Sequence, residues 1–273
     1  MKKEFYLKRG MKKIKCVHYP LNDPNAVIMI VHGLGEHIQR YDLFAREMRD
    51  HGFAVFGFDH FGHGESSKRK GHTSVEEMLG EIEIVFSKIN LAYPNKKVGI
   101  FGHSMGGLVA LREIEKKNNE YFAAVLSSPA VYVKKEDRER LDKMDKIIKF
   151  FPFITINNGL STKMISRNVS IVDDYETDPN VHSKISLKLA SSIYKNGLKG
   201  IEEIEDIKIP LLVQSGTGDE IVKHQKVKES FGNMKSEHKV FIPYEGAYHE
   251  IFFDPEHGEK FRTDVIGWFR RYS

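Results

Sequence analysis

The sequence of 273 residues has a single cysteine, Cys16, and no long apolar run. One cysteine excludes an intramolecular disulfide and a metal cage built from cysteines, so we expect a cytoplasmic protein. The longest clean apolar run, Ala26–Val31, is far shorter than the roughly 20 residues that span a bilayer. Glu4 and Lys8 interrupt the N-terminal segment before an apolar stretch develops, so we expect no signal peptide.

The chain also lacks a strong excess of either charge. Its 42 Lys and Arg residues stand against 38 Asp and Glu residues, a formal net charge of +4, and both signs are spread along the sequence. Because there is no basic tail of the kind that binds nucleic acid, we expect no nucleic-acid partner. The length suits one α/β domain that carries an insertion.

Strand and helix patterns alternate along most of the chain. Residues 4–19 predict two strands around a turn at Arg9-Gly10, a hairpin for the edge of a sheet. Further predicted strands cover 27–31, 54–58, 98–101, 123–127, 209–214 and 239–242, and predicted helices cover 41–51, 75–91, 107–117 and 258–271. This alternation predicts a mostly parallel sheet with helices on both faces.

The alternation stops after residue 130. The next part holds a charged helix start over 134–145, an apolar cluster over 147–154 and a polar loop, with no clear strand before residue 209. We interpret it as a mainly helical cap over the carboxyl ends of the strands, where open α/β sheets bind ligands. The expected organisation is a first core part at 1–130, a cap at 131–200 and a second core part at 201–273.

The segment Gly102-His103-Ser104-Met105-Gly106 lies between a predicted strand and a predicted helix. In this context the G-x-S-x-G pattern is typical of a nucleophile elbow, a sharp turn that exposes the serine hydroxyl. The glycines leave room for a backbone that is too tight for side chains. Ser104 is therefore the predicted nucleophile.

A serine nucleophile needs a histidine to take its proton and a carboxylate to hold that histidine. On a sheet of this type the acid and then the base follow the serine along the chain, each in a loop after a strand. Asp219 follows the strand 209–214 and His249 follows the strand 239–242, so they are the predicted acid and base. The competing residues are less well placed: Glu220, His238 and His257.

Acyl transfer also needs amide donors for the oxyanion, each worth about 3 kcal/mol of transition-state stabilisation. The N–H of Met105, at the start of the helix after the nucleophile, is one predicted donor. The other is the N–H of Leu34 in the loop 32–37, where Gly33 and Gly35 let the backbone bend inward.

Histidines and glycine pairs raise two other possibilities, a metal site and a nucleotide site. The histidines lack the i, i+4 helical spacing of H-E-x-x-H, so local hydrogen bonding is the preferred interpretation. The triplets 33–35 and 62–64 do not extend to G-x-G-x-x-G before a helix. We therefore expect no metal and no other cofactor. The histidines in question are His32, His37, His60, His63 and His72.

Four segments, taken in order, resemble the signatures of monoacylglycerol lipases. This group lies in the α/β-hydrolase superfamily, among proteins labelled lysophospholipase or serine aminopeptidase-like. The segments are HGLGEH at 32–37, DHFGHGES at 59–66, GHSMGG at 102–107 and YEGAYH at 244–249, with further similarity at 158–160 and 178–182.

The resemblance implies the α/β-hydrolase fold, with Ser104, Asp219 and His249 as nucleophile, acid and base. It implies that Leu34 and Met105 supply the oxyanion amides. It also implies that 131–200 is an amphipathic cap that shields an acyl tunnel and can rest against a membrane. One departure is Ser215-Gly216, where relatives commonly have His-Gly, and the cap is the least similar part.

Within the cap, the candidates for substrate contact are Ile148, Phe151 and Phe153. Two interpretations stay open for this cluster: packing of the cap onto the core, and an apolar rim through which a lipid enters.

The function implied by the resemblance is a serine ester hydrolase, a monoacylglycerol lipase that releases fatty acid and glycerol through an acyl-enzyme on Ser104. The expected partners are a small lipid or ester substrate and, through the cap, a membrane surface. The alternatives are a lysophospholipase or small-ester carboxylesterase with the same triad, an aminopeptidase, and a non-catalytic binder on a hydrolase fold. Acyl length, head group and oligomeric state are left open.

Overall fold

The computed structural model describes residues 1–66, 69–131, 139, 146–232, 234 and 236–273. The strands of these residues form a large sheet and a small one. The large sheet contains β1 (Lys3–Arg9), β2 (Lys12–Tyr19), β3 (Ala26–Val31), β4 (Phe53–Phe58), β5 (Val98–His103), β6 (Tyr121–Ser127), β9 (Leu211–Gly216) and β10 (Lys239–Tyr244). The small sheet pairs β7 (Thr155–Asn157) with β8 (Lys184–Ser186).

Helices connect the strands and cover both faces of the large sheet. They are α1 (Asp42–Asp50), α2 (Val75–Ala92), α3 (Met105–Lys116), α4 (Val169–Thr177), α5 (Leu187–Glu203), α6 (His224–Gly232) and α7 (Gly258–Tyr272). Short 3₁₀ turns occur at Ile38–Tyr41, Thr162–Met164, Ile204–Asp206 and Ile251–Phe253.

The strand order in the large sheet is β1-β2-β4-β3-β5-β6-β9-β10. Pairs involving β1 and β2 are antiparallel, and the pairs from β4 through to β10 are parallel. The predicted mostly parallel sheet and its edge hairpin are therefore confirmed.

The middle of the sheet is buried on both sides. Every residue of β3, β4 and β5 is buried, which is why these strands read as continuous apolar runs rather than as alternating patterns. One face packs against α2 and α3, and the other packs against α1 and α7. Two apolar layers thus hold the strand ends in fixed register.

Parallel pairing brings the carboxyl ends of four strands to one edge of the sheet. Val31, the last residue of β3, pairs with Gly102 of β5, and Gly216 of β9 pairs with Tyr244 of β10. The loops that follow these strands carry all five residues expected for catalysis: Leu34, Ser104, Met105, Asp219 and His249.

Between β6 and β9 the structure differs from the expected cap in one respect. We expected no strand before residue 209, which was wrong, because β7 and β8 form an antiparallel pair of three residues each. Strands this short carry too few residues for a readable alternation. The predicted charged helix start at 134–145 lies outside the described residues, apart from position 139, and residues 146–150 are helical.

Candidate active site

Ser104 lies at the turn between β5 and α3 with φ 54° and ψ −119°, in the left-handed region. A non-glycine residue keeps such a backbone only where its surroundings enforce it. Its N–H donates to the carbonyl of Ser127 at 2.9 Å, and its carbonyl accepts from Ala130 N–H at 3.0 Å. A side chain on Gly102 or Gly106 would collide with backbone carbonyl oxygens. The turn therefore has the tightness that the G-x-S-x-G pattern predicts.

Asp219 and His249 form a buried pair. The His249 Nδ1 lies 2.7 Å from Asp219 Oδ2, while Asp219 Oδ1 accepts the backbone N–H groups of Ile221 and Val222 at 2.9 Å. Burial acts to lower the pKa of His249, but the Asp219 carboxylate, together with Glu250 and Glu36, outweighs burial, and the net pKa is raised above its ordinary value. The pair therefore presents an oriented imidazole with Nδ1–H bound to a carboxylate.

The loop of His249 lies beside the Ser104 turn. The His249 ring is 4.7 Å, between centroids, from the ring of His103, the neighbour of Ser104. The backbone carbonyl of His249 accepts from Ser128 Oγ at 3.3 Å. Burial lowers the pKa of His103 well below its ordinary value, so this ring adds no positive charge next to the base. The structure thus places the loop of His249 beside the Ser104 turn, with Asp219 bound to the His249 ring.

The loop of Leu34 approaches Ser104 from the neighbouring strand. A Cβ built on Gly33 would lie 3.2 Å from Ser104 Cβ, so this backbone rests against the nucleophile turn. Leu34 is half-buried, and Met105 is buried as the first residue of α3. The backbone amides that we expect as oxyanion donors therefore flank the same serine.

An ion group that our sequence reasoning missed joins two of these loops. Arg40 donates to both carboxylate oxygens of Glu250, at 2.5 and 2.8 Å, and to Glu36 at 3.0 Å. Its guanidinium also lies 4.7 Å from the ring centroid of Tyr175 in α4. The i, i+4 spacing of Glu36 and Arg40 was the only readable signal in the sequence. Glu250, adjacent to His249, carried no such signal.

The competing residues lie in other contacts. His257 Nε2 hydrogen-bonds the carbonyl of Glu245 at 2.9 Å, and the His238 ring is 5.7 Å from that of Tyr272. Glu220 is exposed and ion-paired with Lys223. None of these contacts is with Ser104 or Asp219.

Three of the histidines considered as metal ligands are close together beneath the Leu34 loop. The ring of His32 is 4.8 Å from that of His60 and 5.4 Å from that of His63. Across the part of the chain that the structure describes, no group of three His, Cys, Asp or Glu side chains could hold a metal ion. His32 and His63 hydrogen-bond to the backbone, as for His63 Nδ1 and the carbonyl of Phe61 at 3.2 Å, and His60 Nδ1 lies 2.7 Å from Glu81 Oε2.

Phe151 and Phe153 lie between β6 and β7 and are 50% and 46% exposed, with their rings edge to face at 6.2 Å. Ile148 is partly buried. No helix among the described residues is long and apolar enough to cross a bilayer.

A cavity of about 320 Å³ is lined by residues between positions 158 and 183. None of the residues that line it was among the predicted substrate contacts, although 158–160 and 178–182 were noted for their resemblance, and three lining residues touch the loops of the site. The carbonyl of His182 and the hydroxyl of Tyr175 lie over Gly35, and the carbonyl of Ile165 accepts the N–H of Glu250 at 2.7 Å. The cavity therefore adjoins both the Leu34 loop and the His249 loop.

Comparison with known proteins agrees with this geometry. The family model described as serine aminopeptidase, S33, matches residues 22–256. Phospholipase YtpA of Bacillus subtilis is 31% identical over 248 residues, 88% of this chain and 93% of the relative. A monoacylglycerol lipase of Mycolicibacterium smegmatis is 29% identical over 262 residues, 95% of this chain and 93% of the relative.

Among solved structures, a monoacylglycerol lipase of Paleococcus ferrophilus is 34% identical, with a TM-score of 0.88 over 95% of this chain and 99% of that one. The resemblance noted in the sequence motifs is confirmed. The chain belongs to the serine aminopeptidase, S33, family and is a serine ester hydrolase with the α/β-hydrolase fold.

Proposed function

We propose that this protein cleaves monoacylglycerols to fatty acid and glycerol through an acyl-enzyme on Ser104. The observation that carries the proposal is the buried Asp219–His249 pair, 2.7 Å apart, next to the strained Ser104 turn. The relative of known structure, which is 34% identical over nearly the whole chain, supports the choice of substrate.

In the proposed reaction His249 Nε2 takes the proton of Ser104 Oγ as this oxygen attacks the ester carbonyl. Asp219 holds the Nδ1–H and stabilises the imidazolium. The oxyanion accepts from the N–H groups of Leu34 and Met105. The tetrahedral intermediate expels the glycerol alkoxide, which takes the proton from His249. Water then attacks the acyl-enzyme as His249 takes its proton. The second tetrahedral intermediate breaks the bond between Ser104 Oγ and the acyl carbon and releases the fatty acid, while Ser104 Oγ regains the proton from His249.

We assign 131–200 to the cap and the flanking parts, 1–130 and 201–273, to the core. The cap cavity is lined by both apolar and polar groups, which suits a ligand with an acyl chain and a hydroxylated head. Its lining includes Leu160, Ile165, Tyr175, Asn158, Ser161 and Glu176.

The outer surface of the cap is proposed to make a transient, peripheral membrane contact. Phe150, Phe151, Phe153, Ile154 and Ile156 are all 40% exposed or more and lie within seven positions of each other in the chain. A contiguous apolar surface of this kind favours insertion into a lipid interface. Phe151 and Phe153, with Ile148 beneath, would then lie where a lipid leaves the bilayer.

A second candidate is hydrolysis of lysophospholipids. The observation that favours it is the 31% identity to a bacterial phospholipase over 88% of this chain. The same triad would perform the same chemistry, and only the head group would differ.

Two measurements test the proposal. A fluorophosphonate should label wild-type protein on Ser104, and Ser104→Ala should abolish both the label and ester hydrolysis while keeping the folded spectrum. Hydrolysis of monoacylglycerols, lysophosphatidylcholine and aminoacyl arylamides then identifies the substrate. Absence of a label on folded protein would overturn the enzyme mechanism. Activity confined to arylamides would overturn the lipase assignment, and activity confined to lysophosphatidylcholine would favour the second candidate.

A further inference from the structure

His32 lies directly under the backbone of the Leu34 loop and is fully buried. Its Nε2 is 3.0 Å from the backbone N of His60, and its Nδ1 is 2.8 Å from the carbonyl oxygen of Gly33. The N–H of His60 can only donate, so Nε2 is the acceptor. The ring proton is therefore on Nδ1, which donates to Gly33. Burial lowers the pKa of His32 well below its ordinary value, which keeps this neutral tautomer.

The hydrogen bond to Gly33 sets the direction of the neighbouring amide. The peptide unit that contains the Gly33 carbonyl also contains the Leu34 N–H, and in a trans peptide these two groups point in opposite directions. Holding the carbonyl towards His32 therefore turns the Leu34 N–H away from the His32 ring. The backbone that carries this amide lies against the nucleophile turn, because a Cβ built on Gly33 would be 3.2 Å from Ser104 Cβ.

The peptide unit on the other side of Gly33 is fixed as well. The N–H of Gly33 donates to Glu36 Oε1 at 2.6 Å, and the same oxygen accepts from the hydroxyl of Tyr41 at 2.7 Å. Buried side chains thus hold both peptide units that flank Gly33. A backbone rotation that moved the Leu34 amide would break at least one of these bonds.

The partner that holds His32 from behind is itself anchored. His60 Nδ1 lies 2.7 Å from Glu81 Oε2 on α2, and the N–H of Phe61 donates to Glu81 Oε1 at 3.2 Å. Burial raises the pKa of Glu81 to about 8 and lowers that of His60 to about 3. The His60 ring is therefore neutral at pH 7 and adds no positive charge behind His32.

We propose that His32 is a positioning residue for ester hydrolysis: its Nδ1–H holds the Gly33 carbonyl so that the Leu34 amide is directed at the oxyanion. Donation to the carbonyl also polarises the peptide unit and strengthens its N–H as a donor. The proposal rests on the proposed function, because Leu34 matters only if an oxyanion forms at Ser104.

Two substitutions separate this role from simple packing. His32→Leu fills the space but has no hydrogen-bond donor. His32→Asn has an N–H donor on the nitrogen bonded to Cγ, the same position that Nδ1 occupies in histidine. Removal of a whole oxyanion donor costs about 10² to 10³ in kcat, and a misdirected donor should cost part of that. We expect His32→Leu to lose about 10-fold to 100-fold in kcat with KM within about twofold, and His32→Asn to regain most of the loss.

The readouts are steady-state hydrolysis of p-nitrophenyl butyrate and inhibition by a trifluoromethyl ketone, which forms a tetrahedral oxyanion on the serine. The affinity of His32→Leu for the ketone should fall by the same factor as kcat/KM. The pKa in its pH profile should stay at the wild-type value, because Asp219 and His249 are untouched.

The proposal would be overturned if His32→Leu had the wild-type kcat, or if the kcat of His32→Asn were no higher than that of His32→Leu. If His32→Leu does not fold, the test uses Glu81→Leu and Glu81→Gln instead. The glutamine side chain can keep the hydrogen bonds of Glu81 to His60 and Phe61, so only Glu81→Leu should have a lower kcat. Equal rates for these two variants would also overturn it. Failure of the proposed function is a separate result, since wild-type protein would then neither hydrolyse the ester nor take a fluorophosphonate label.

Discussion

Arg40 and Glu250 lie 210 positions apart in the chain and form a two-bond ion pair, with N–O distances of 2.5 and 2.8 Å. Glu250 directly follows His249, and the same guanidinium holds Glu36, which accepts the N–H of Gly33. One cation therefore connects the loop of the base with the loop of the oxyanion amide. Planar two-bond pairing of this kind fixes orientation as well as distance.

Replacing Arg40 by Met should destabilise the fold and alter the base. Two buried carboxylates would lose their counter-charge, which costs about 3 to 5 kcal/mol of unfolding free energy, measurable by urea denaturation. Both carboxylates act to raise the pKa of His249, so the acidic limb of kcat/KM should move to higher pH. In Arg40→Met/Glu250→Gln, part of the stability should return. Unchanged stability and an unchanged pH profile in the single variant would contradict this account.

The rate of ester hydrolysis should depend on the protonation of His249. As the base it must be neutral, and its pKa is raised, so kcat/KM should fall as pH drops through a value above the ordinary 6.5 or so. Asp219→Asn removes the charge that raises this pKa. We expect a lower midpoint and a loss of about 10⁴ in kcat, because the wrong tautomer is favoured. A midpoint that stays in place in Asp219→Asn would argue against the pair.

Arg167, in the proposed cap, donates to Asp254, in the proposed core, with N–O distances of 2.8 and 2.7 Å. Burial acts to raise the pKa of Asp254, but Arg167 and two backbone N–H groups outweigh it, and the net pKa is lowered. A lowered carboxyl pKa stabilises the fold above the unfolded value near 4, and this stabilisation is lost as pH falls through the folded pKa.

Arg167→Met should therefore lower the unfolding free energy by about 2 kcal/mol at pH 7, and by less below about pH 3. Urea denaturation at both pH values tests this. Lys163→Met, an exposed cap change, is the matched control and should stay within about 0.5 kcal/mol of wild type. A loss that is equal at the two pH values would show that the ion pair is not its source.

The exposed phenylalanines of the cap should matter for lipid substrates in bilayers and not for soluble ones. Phe151→Ser and Phe153→Ser should lower turnover of long-chain monoacylglycerol in vesicles severalfold, because each removes apolar surface that a membrane would cover. Hydrolysis of a short soluble ester should stay within about twofold.

Leu91→Ser is the matched control, since Leu91 is 80% exposed at the end of α2. It should leave both reactions unchanged. If the phenylalanine substitutions changed the turnover of long-chain and short-chain esters equally, the proposed membrane contact would be contradicted.

Local patterns were enough to predict the sheet, its edge hairpin and the order of the loops, because buried parallel strands are apolar runs and the helices between them are amphipathic. The bounds of the helices α4, α5 and α6 and the strands β7 and β8 escaped prediction. The two strands have three residues each, and α6 follows the Asp219 loop with only three buried side chains.

The sequence by itself was enough to predict the proposed reaction centre, since a tight turn needs glycines around Ser104 and the acid and base follow strands in a set order. Only the tertiary structure decided what supports that centre. Arg40 meets Glu250 and His32 receives the N–H of His60 because parallel strands bring distant loops to one edge. Such contacts depend on how the strands pair in space, and this pairing produces no periodic pattern of residues in a single sequence.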